Sequence, residues 1–575
     1  MRTRYPRTPH LPWSPGATSD DVRVSNLSGF IGQEVVVTEK MDGENTTLGR
    51  SYTHARSLDS AHHVSRSWVK ALHGRIAAHI PEGWRVCGEN LYARHSVPYD
   101  TLPAYFLAFN IWDDTHTCLS RDDTVAWCER VGVPVAPVLY RGPFDERALR
   151  ALRVDTRTCE GFVVRLARAF HRDDFRQSLA KWVRQGHVTD TSGVHWMHRT
   201  IEPNGLGPEA PLWTVRSKGT VDCQSVLQAI GLDDLTTTDL APLTARLDVL
   251  DRPAEARLAG VVAGALLGGA ARPNPMWLPH LRAHLSPDTA RAVAMLVQLV
   301  RHPTFSVQDD TRRAGLVQLA RSVDLGVLHA LAGWWCAHTG DSEGAEQVAW
   351  SELHSDDAGL LAADPFVHLR EGLRSALSGD PHADALWTGV LRAFGAGRLR
   401  SPEEARALLP SLRSTFRGGS VTVLVGPAGS GKSTWTRGQP GATLISLDDL
   451  RAQRGDRSDQ SHNAAVLREA VAQLVEALRA EQHIIWDATS ITARQRALVL
   501  DKARRYAVPT RIVSVLTPAP VLHERNRSRQ HSVPEAVLAD QCASIQWPLA
   551  SEADTVLDVD TAGTHRAERF GGAPS

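Results

Sequence analysis

The chain has 575 residues, no formal net charge at pH 7, 42% apolar residues and 22% charged residues. That length exceeds one hydrophobic core and implies about three or four domains of roughly 100–200 residues each. The even charge excludes a uniformly basic nucleic-acid binder, so any such binding rests on local patches.

The cysteines, Cys87, Cys118, Cys128, Cys159, Cys223, Cys336 and Cys542, form no CxxC pair and no zinc-like spacing, which points to reduced thiols in a cytoplasm. The start "MRTRYPRTPHLPW" has no apolar signal core, and no membrane span is expected. Lysine is rare. Only Lys40, Lys70, Lys181, Lys218, Lys432 and Lys502 appear among 64 basic residues. Arginine stays protonated and is a poor nucleophile, so a surviving lysine marks a place where arginine chemically fails. Lys70 and Lys502 are better explained by chance survival.

Along residues 1–205, the runs "EVVVTEK", "WRVCGENLY", "AYFLAFNIWD", "EGFVVRL" and "LAKWVR" read as strands among helices such as "RDDTVAWCERVG". This composition predicts a β-rich α+β domain. Val35–Val37 and Thr38 read as a buried strand and "MDGEN" as a tight turn, which sets Lys40 at their junction. The stretch "IEPNGLGPEAP", 201–211, has the Pro/Gly content of a linker. Residues 215–400 are rich in Ala, Leu and Arg with helical spacing and predict an all-α domain. From 415 to 560, the apolar runs "VTVLVG", "ATLISLDD", "HIIWDAT" and "RIVSVLT" alternate with helices, the pattern of an α/β domain with a parallel sheet. The tail, 561–575, is expected to be disordered.

"GPAGSGKST", 426–434, fits GxxxxGK[ST] between a strand and a helix. Gly426, Gly429 and Gly431 let backbone N–H groups close around phosphate oxygens at a helix N-terminus, with Thr434 completing the motif. Lys432 is placed to reach the β and γ phosphates and Ser433 to hold Mg²⁺. "SLDDLR" supplies Asp448 and Arg451, "WDAT" supplies Asp487, and "HERNRSR" carries Arg525, Arg527 and Arg529. An aspartate there can take a proton from an attacking hydroxyl, and arginines can close over a transferring phosphate. Over residues 420–545, "GSGKSTWTR", "DDLR", "RNRSR" and "VP..VL" resemble the polynucleotide 5′-kinase family. The resemblance implies Asp448 as general base for a 5′-hydroxyl, Arg451 on the acceptor's 3′-phosphate, Asp487 as acceptor-positioning, and Arg525 and Arg529 as a lid. "DATS" departs from the family's usual "DTN". A small-molecule kinase of the same P-loop class is the competing reading.

"EKMDGEN" fits KxDG, and its companions follow in order: "GEN" with Glu89, "FLAFNIWD" with Phe109, "CEGFVVR" with Glu160, and "LAKWVR" with Lys181 and Arg184. Over residues 25–200 this series resembles the ATP-dependent RNA ligases among covalent nucleotidyltransferases. The resemblance implies that Lys40 attacks the α-phosphorus of ATP to give lysyl-AMP and pyrophosphate. It further implies Glu160 as a ligand of Mg²⁺ (or Mn²⁺), Glu89 on the ribose, Phe109 on adenine, Glu39 on the adenine edge, and Asp42, Lys181 and Arg184 in the ATP site. Lys181 is expected to depress the pKa of Lys40. Arg56, in "HARS", resembles the arginine that handles the 5′-phosphate of the polynucleotide, with Arg50 the rival. The family often carries two lysines where this chain has Leu179-Ala180-Lys181, and no oligonucleotide-binding barrel is evident after residue 200.

"RLAGVVAGALLGGAARP", 257–273, resembles the helix of HD-type phosphohydrolases, whose metal-binding His-Asp pair would fall at Gly268-Gly269. Glycine supplies no ligand, so a metal-free scaffold or RNA-docking domain is implied, with an unrelated helical domain as the alternative. His280, His284 and His302 are then surface or packing residues. Together the resemblances imply an RNA repair enzyme acting on RNA ends, using ATP and Mg²⁺ at both sites and relying on a separate 3′-end phosphatase. A DNA-end repair enzyme and an RNA-binding sensor with one inactive site are the alternatives.

Overall fold

The computed structural model describes residues 2–58, 62–185, 200–300, 309–454, 463–529 and 532–568. Packing divides the chain into two units, Met1–Ala229 with Pro253–Leu258, and Ile230–Arg252 with Ala259–Ser575.

The first unit contains two antiparallel sheets. Its strands are β1 (Glu34–Glu39), β2 (Glu44–Gly49), β3 (Tyr52–Ala55), β4 (Arg85–Asn90), β5 (Phe106–Trp112), β6 (Thr117–Cys118), β7 (Val138–Pro143), β8 (Gly161–Leu166), β9 (Phe170–His171) and β10 (Leu179–Val183). One sheet has the order β10-β8-β1-β7 and the other β3-β2-β4-β5-β6-β9. Alternate residues Val35 and Val37 of β1 and Phe162 and Val164 of β8 meet Cys87 and Trp112 of the second sheet in a shared core. The second sheet's other face buries Leu48, Val86, Phe106 and Ile111 against Val69, Leu72 and Ile76 of helix Ser67–Ile76 and Trp127 of helix Arg121–Val131.

The five expected strand runs form β1, β4, β5, β8 and β10. The 201–211 stretch is built into this unit rather than acting as a linker. Pro203 bridges Ala93 and Leu206 bridges Leu102. Asn204 is buried, its amide donates to Leu91 O at 2.8 Å, and its Oδ1 accepts Tyr99 N–H at 3.0 Å. Those side-chain hydrogen bonds hold a Pro/Gly segment that composition alone marks as loose.

The second unit joins helices to a mostly parallel sheet. Its strands are β11 (Ser420–Val425), β12 (Thr443–Ser446), β13 (His483–Asp487), β14 (Thr510–Val515), β15 (Thr555–Asp560) and β16 (Gly563–Arg566), in the order β12-β13-β11-β14-β15-β16. Among the described residues, only the β15–β16 pair of this sheet is antiparallel. β16 lies inside the stretch expected as a disordered tail, paired along Leu557–Arg566 to Asp560–Gly563. Residues 569–575 of that tail and His302 lie outside the described residues.

The helical segment grips the β15–β16 side of the sheet. Arg291 pairs with Asp558 at 2.6 Å, Arg282 with Asp560 at 2.6 Å and Arg566 with Asp384 at 2.6 Å. Trp547 Nε1 donates to Pro275 O at 2.7 Å. Helix Ala254–Gly269 ends where the HD pair would stand, and a Cβ at Gly268 or Gly269 would collide with the Thr238 side chain or the Thr236 carbonyl. His280 Nε2–H donates to Ile230 O at 2.8 Å, a packing role.

Candidate active sites

Lys40 follows β1, where its N–H donates to Gly161 O at 2.8 Å. That bond brings the strand end against the start of β8, and Lys40 Nζ donates to the Glu160 carboxylate. Glu160 is nearly buried, its side chain 5% exposed, whereas Lys40 keeps 23% exposure and a path to solvent. Glu89 enters from the end of β4. Gly43 permits this approach, since a Cβ there would meet Asn90 O at 2.5 Å.

The electrostatics differ from the sequence expectation. Burial pulls Lys40 down, but the carboxylates of Glu160, Glu89 and Asp42 outweigh it and hold the amine above its ordinary pKa. Lys181 is the lysine that falls, through burial and then the charge of Lys40. The acidic neighbours thus stabilise the Lys40 ammonium, and Lys181 does not overcome them. Burial, with Glu160 and Asp42 adding like charge, pushes Glu89 up to about 8 against the pull of Lys40. Burial also raises Glu39, partly countered by a hydrogen bond from Cys159.

Asp42 works as a clamp. Its Oδ2 accepts Ser96 N–H at 2.8 Å, Ser96 Oγ–H at 2.7 Å and Val97 N–H at 2.8 Å, and its own N–H donates to Tyr99 Oη at 2.9 Å. The sequence reading missed Ser96, Val97 and Tyr99. The signal was present in "RHSVPYD", a polar, proline-containing loop that begins four residues after "GEN". Phe109 is the extra residue of a β-bulge, since Cys87 pairs with Asn110 and Gly88 with Ala108. Bulges re-aim a side chain, and the Phe109 ring sits edge-on to Tyr5 at 5.4 Å. Arg184 donates its backbone N–H to Glu160 O at 3.0 Å, and its Nε is a buried donor without a hydrogen-bond partner. Arg56 follows β3 and is exposed, whereas Arg50 donates to Ile80 O at 3.4 Å.

In the second unit, the 426–434 loop joins β11 to helix Lys432–Arg437. Gly429 and Gly431 adopt φ of +86° and +105°, backbone that side-chain-bearing residues rarely take. Lys432 Nζ donates to Gly426 O at 2.8 Å and Pro427 O at 2.9 Å. Burial pulls Lys432 down to about 8, with Asp487 and Asp448 opposing that fall and Arg529 adding to it. Those four residues are therefore electrostatic neighbours. Ser446, next to Asp487 in the β12–β13 register, caps helix Leu447–Gln453, which carries Asp448 and Arg451. Arg451 pairs with Asp448 at 2.6 Å and donates to Asn463 Oδ1 at 3.0 Å. Arg525, on helix Ala519–Arg527, reaches the loop: a Cβ on Gly431 would lie 3.9 Å from its Nη1. Ser433 and Thr434 are exposed at the helix start. The sequence reading also missed Gln541, whose Oε1 accepts Ala428 N–H at 2.8 Å.

Residues 33–183 match the RNA ligase family model, and residues 421–548 match an AAA domain model. The chain thus carries an N-terminal RNA ligase domain and a C-terminal AAA domain of P-loop type. Curated proteins yield no match. Among solved structures, the Pnkp1/Rnl/Hen1 RNA repair complex contains a chain 22% identical over 23% of this protein and 45% of that one, with a TM-score of 0.21. A Naegleria gruberi RNA ligase mutant with ATP and Mn is 13% identical over 32% of this chain and 60% of its own, TM-score 0.22. The same organism's ligase with PPi is 16% identical over 32% and 61%, TM-score 0.23. This chain therefore covers between 45% and 61% of those proteins' lengths. Among the described residues, no helix is long and apolar enough to cross a membrane.

Proposed function

We propose that the chain is a cytoplasmic RNA repair enzyme. Its C-terminal module phosphorylates RNA 5′-hydroxyl ends, and its N-terminal module seals the resulting 5′-phosphate to a 3′-hydroxyl. The observation that carries the ligase reading is the Lys40 amine at a strand end, in contact with Glu160 and beside Glu89 and Lys181. The neutral Lys40 amine attacks the α-phosphorus of ATP, the α–β phosphoanhydride bond breaks, pyrophosphate leaves, and the lysine loses its proton to water. The AMP then passes to the RNA 5′-phosphate, and the 3′-hydroxyl displaces AMP to form the phosphodiester.

The nearly buried Glu160 carboxylate is an oxygen donor suited to Mg²⁺ or Mn²⁺, which takes few protein carboxylates and shares phosphate ligands. Such an ion, when bound, would offset charge on the α-phosphate. Lys181 and the unpartnered Arg184 Nε supply cationic donors for phosphate oxygens. Glu39, Glu89 and Phe109 supply contacts for the adenosine.

In the kinase module, Lys432 and the loop N–H groups would hold the nucleoside triphosphate, and Ser433 would serve as the Mg²⁺ ligand. Asp448 takes the proton of the attacking 5′-hydroxyl while Arg525 and Arg529 offset the transferring charge. Arg451 and Asp487 position the acceptor, and Arg56 serves the ligase's donor end. RNA bearing a 3′-phosphate requires a separate phosphatase first.

Full-length protein incubated with 5′-hydroxyl, 3′-hydroxyl RNA, ATP and Mg²⁺ or Mn²⁺ should convert it to circular or joined RNA. Accumulation of 5′-phosphorylated RNA alone with either metal would contradict the ligase half. A DNA strand of the same sequence tests the restriction to RNA.

A further inference from the structure

The first residues of the chain have no part in the chemistry above, yet they are fixed to its site. Lys181 N–H donates to Pro9 O at 2.8 Å, and Leu11 N–H donates back to Lys181 O at 2.8 Å. Gly16 N–H donates to Val183 O at 2.9 Å, and Val183 N–H donates to Ser14 Oγ at 2.9 Å. The arm thereby covers the β10 edge of the sheet, which would otherwise present unpaired backbone groups.

Tyr5 pins the arm's start to the second sheet. It is buried, its Oη accepts Asn110 Nδ2–H at 2.7 Å, and its ring meets Phe109 at 5.4 Å and Phe175 at 5.8 Å. The Arg2 guanidinium lies over the Tyr52 ring of β3, 6.0 Å from its centroid. Tyr5 is fixed beside the bulge of β5 and Arg2 over β3, and Arg56 directly follows β3; the charges of Tyr5, Arg4 and Arg7 all act on Arg56, so the arm's guanidiniums lie on its side of the sheet. All three arginines are exposed. Partial desolvation of its inner part, then the charges of Arg7 and Arg4, lower Arg56 below the ordinary guanidinium range, and Tyr5 and Glu89 oppose this. Among the described residues, none of the three has a carboxylate within ion-pair distance. Like charges gathered without an ion-paired carboxylate among the described residues repel one another and gain most from an anion. Guanidinium forks favour phosphate oxygens.

We infer that the N-terminal arm is part of the RNA-binding surface, and that Arg4 and Arg7 join Arg56 in holding the terminal and adjacent phosphates of the 5′-phosphorylated strand. The inference rests on the ligase reading for the strand's identity. An extended strand offers successive phosphates, which suits exposed guanidiniums spread along an arm better than one compact triphosphate.

The test uses the full chain with Arg4→Ala/Arg7→Ala, and Arg157→Ala as a control for lost surface charge. The double variant should raise KM for 5′-phosphorylated RNA about tenfold or more. It should also lower the slope of log affinity against log salt by about 1.4, the value for two single-strand phosphate contacts. KM for ATP in RNA-free formation of the AMP adduct should match wild type. Unchanged RNA KM and salt slope would overturn the inference. So would a selective rise in KM for ATP, which would put these arginines on the triphosphate. If wild type forms no AMP adduct, the ligase reading itself fails. Direct binding of 5′-phosphorylated RNA, measured by fluorescence anisotropy, still separates the double variant from wild type and decides the arm's role.

Discussion

Lys40 and Glu160 stand 120 positions apart in sequence, yet form an ion pair across the ends of β1 and β8. An ammonium cannot attack phosphorus, so this contact both positions the amine and opposes its reaction. Formation of the AMP adduct should therefore rise with pH into the alkaline range. Glu160→Gln removes the strongest carboxylate neighbour and should move the midpoint of that profile down by about one unit or more, while lowering the maximal rate. Single-turnover adduct formation at fixed ATP and Mg²⁺ across pH 7–10.5 reads both effects. The raised Lys40 pKa also stabilises the fold below its unfolded value, and that stability is lost as pH rises through the folded value.

Glu89 has the opposite consequence for a carboxylate. With its pKa pushed up to about 8, the folded protein keeps a proton that the unfolded chain releases above its own, lower value. Stability from this group is full below the unfolded carboxylate pKa and is lost as pH rises toward 8. Glu89→Gln should leave thermal stability unchanged near pH 4.5. At pH 8.5 it should raise stability by on the order of 1–3 kcal/mol, even as adduct formation falls. Urea unfolding at the two pH values checks the sign.

The P-loop lysine is poised near the physiological range. Because Lys432 is pulled to about 8, its positive charge fades above that pH, and KM for the nucleoside triphosphate should climb between pH 8 and 9.5. Asp448→Asn should lower kcat for 5′-phosphorylation by roughly 10²- to 10⁴-fold while leaving the AMP adduct intact. Assaying kinase and adduct on the same preparation separates the modules.

Arg291 and Asp558 are both nearly buried, at 5% and 1% exposure, where the helical segment meets β15. Removing either partner strands a charge, so Arg291→Ala or Asp558→Ala should cost about 3–5 kcal/mol. The double variant should cost less than the sum. Chemical denaturation followed by kinase activity tests whether helices and sheet unfold as one unit, and AMP-adduct formation should be spared.

The legible parts of this fold were those where one physical signal dominates. β1, β4, β5 and β8 are dense apolar runs, and the P-loop needs its glycines at fixed spacing. β2 hides in "ENTTLG", where Thr46 and Thr47 are buried despite their polarity. β15 and β16 follow a segment without strong strand character, and their place depends on arginines far away in the helical segment. The 201–211 stretch looked loose because composition does not reveal that Asn204 finds partners more than 100 residues away. At the candidate active site, the residue types were readable in order, but the sign of the Lys40 shift was not. It depends on how closely Glu160, Glu89 and Asp42 surround the amine, which only the pairing of β1, β4 and β8 decides. Asp42 was likewise readable as part of KxDG, but not as the acceptor for Ser96 and Val97.

Peptide mass mapping after incubation with ATP and Mg²⁺ or Mn²⁺, without RNA, tests the covalent step directly. The expected result is an AMP adduct on the peptide containing Lys40, absent from Lys40→Ala, whose strand-sealing activity is also lost. An adduct on another residue, or sealing that survives Lys40→Ala, would contradict it.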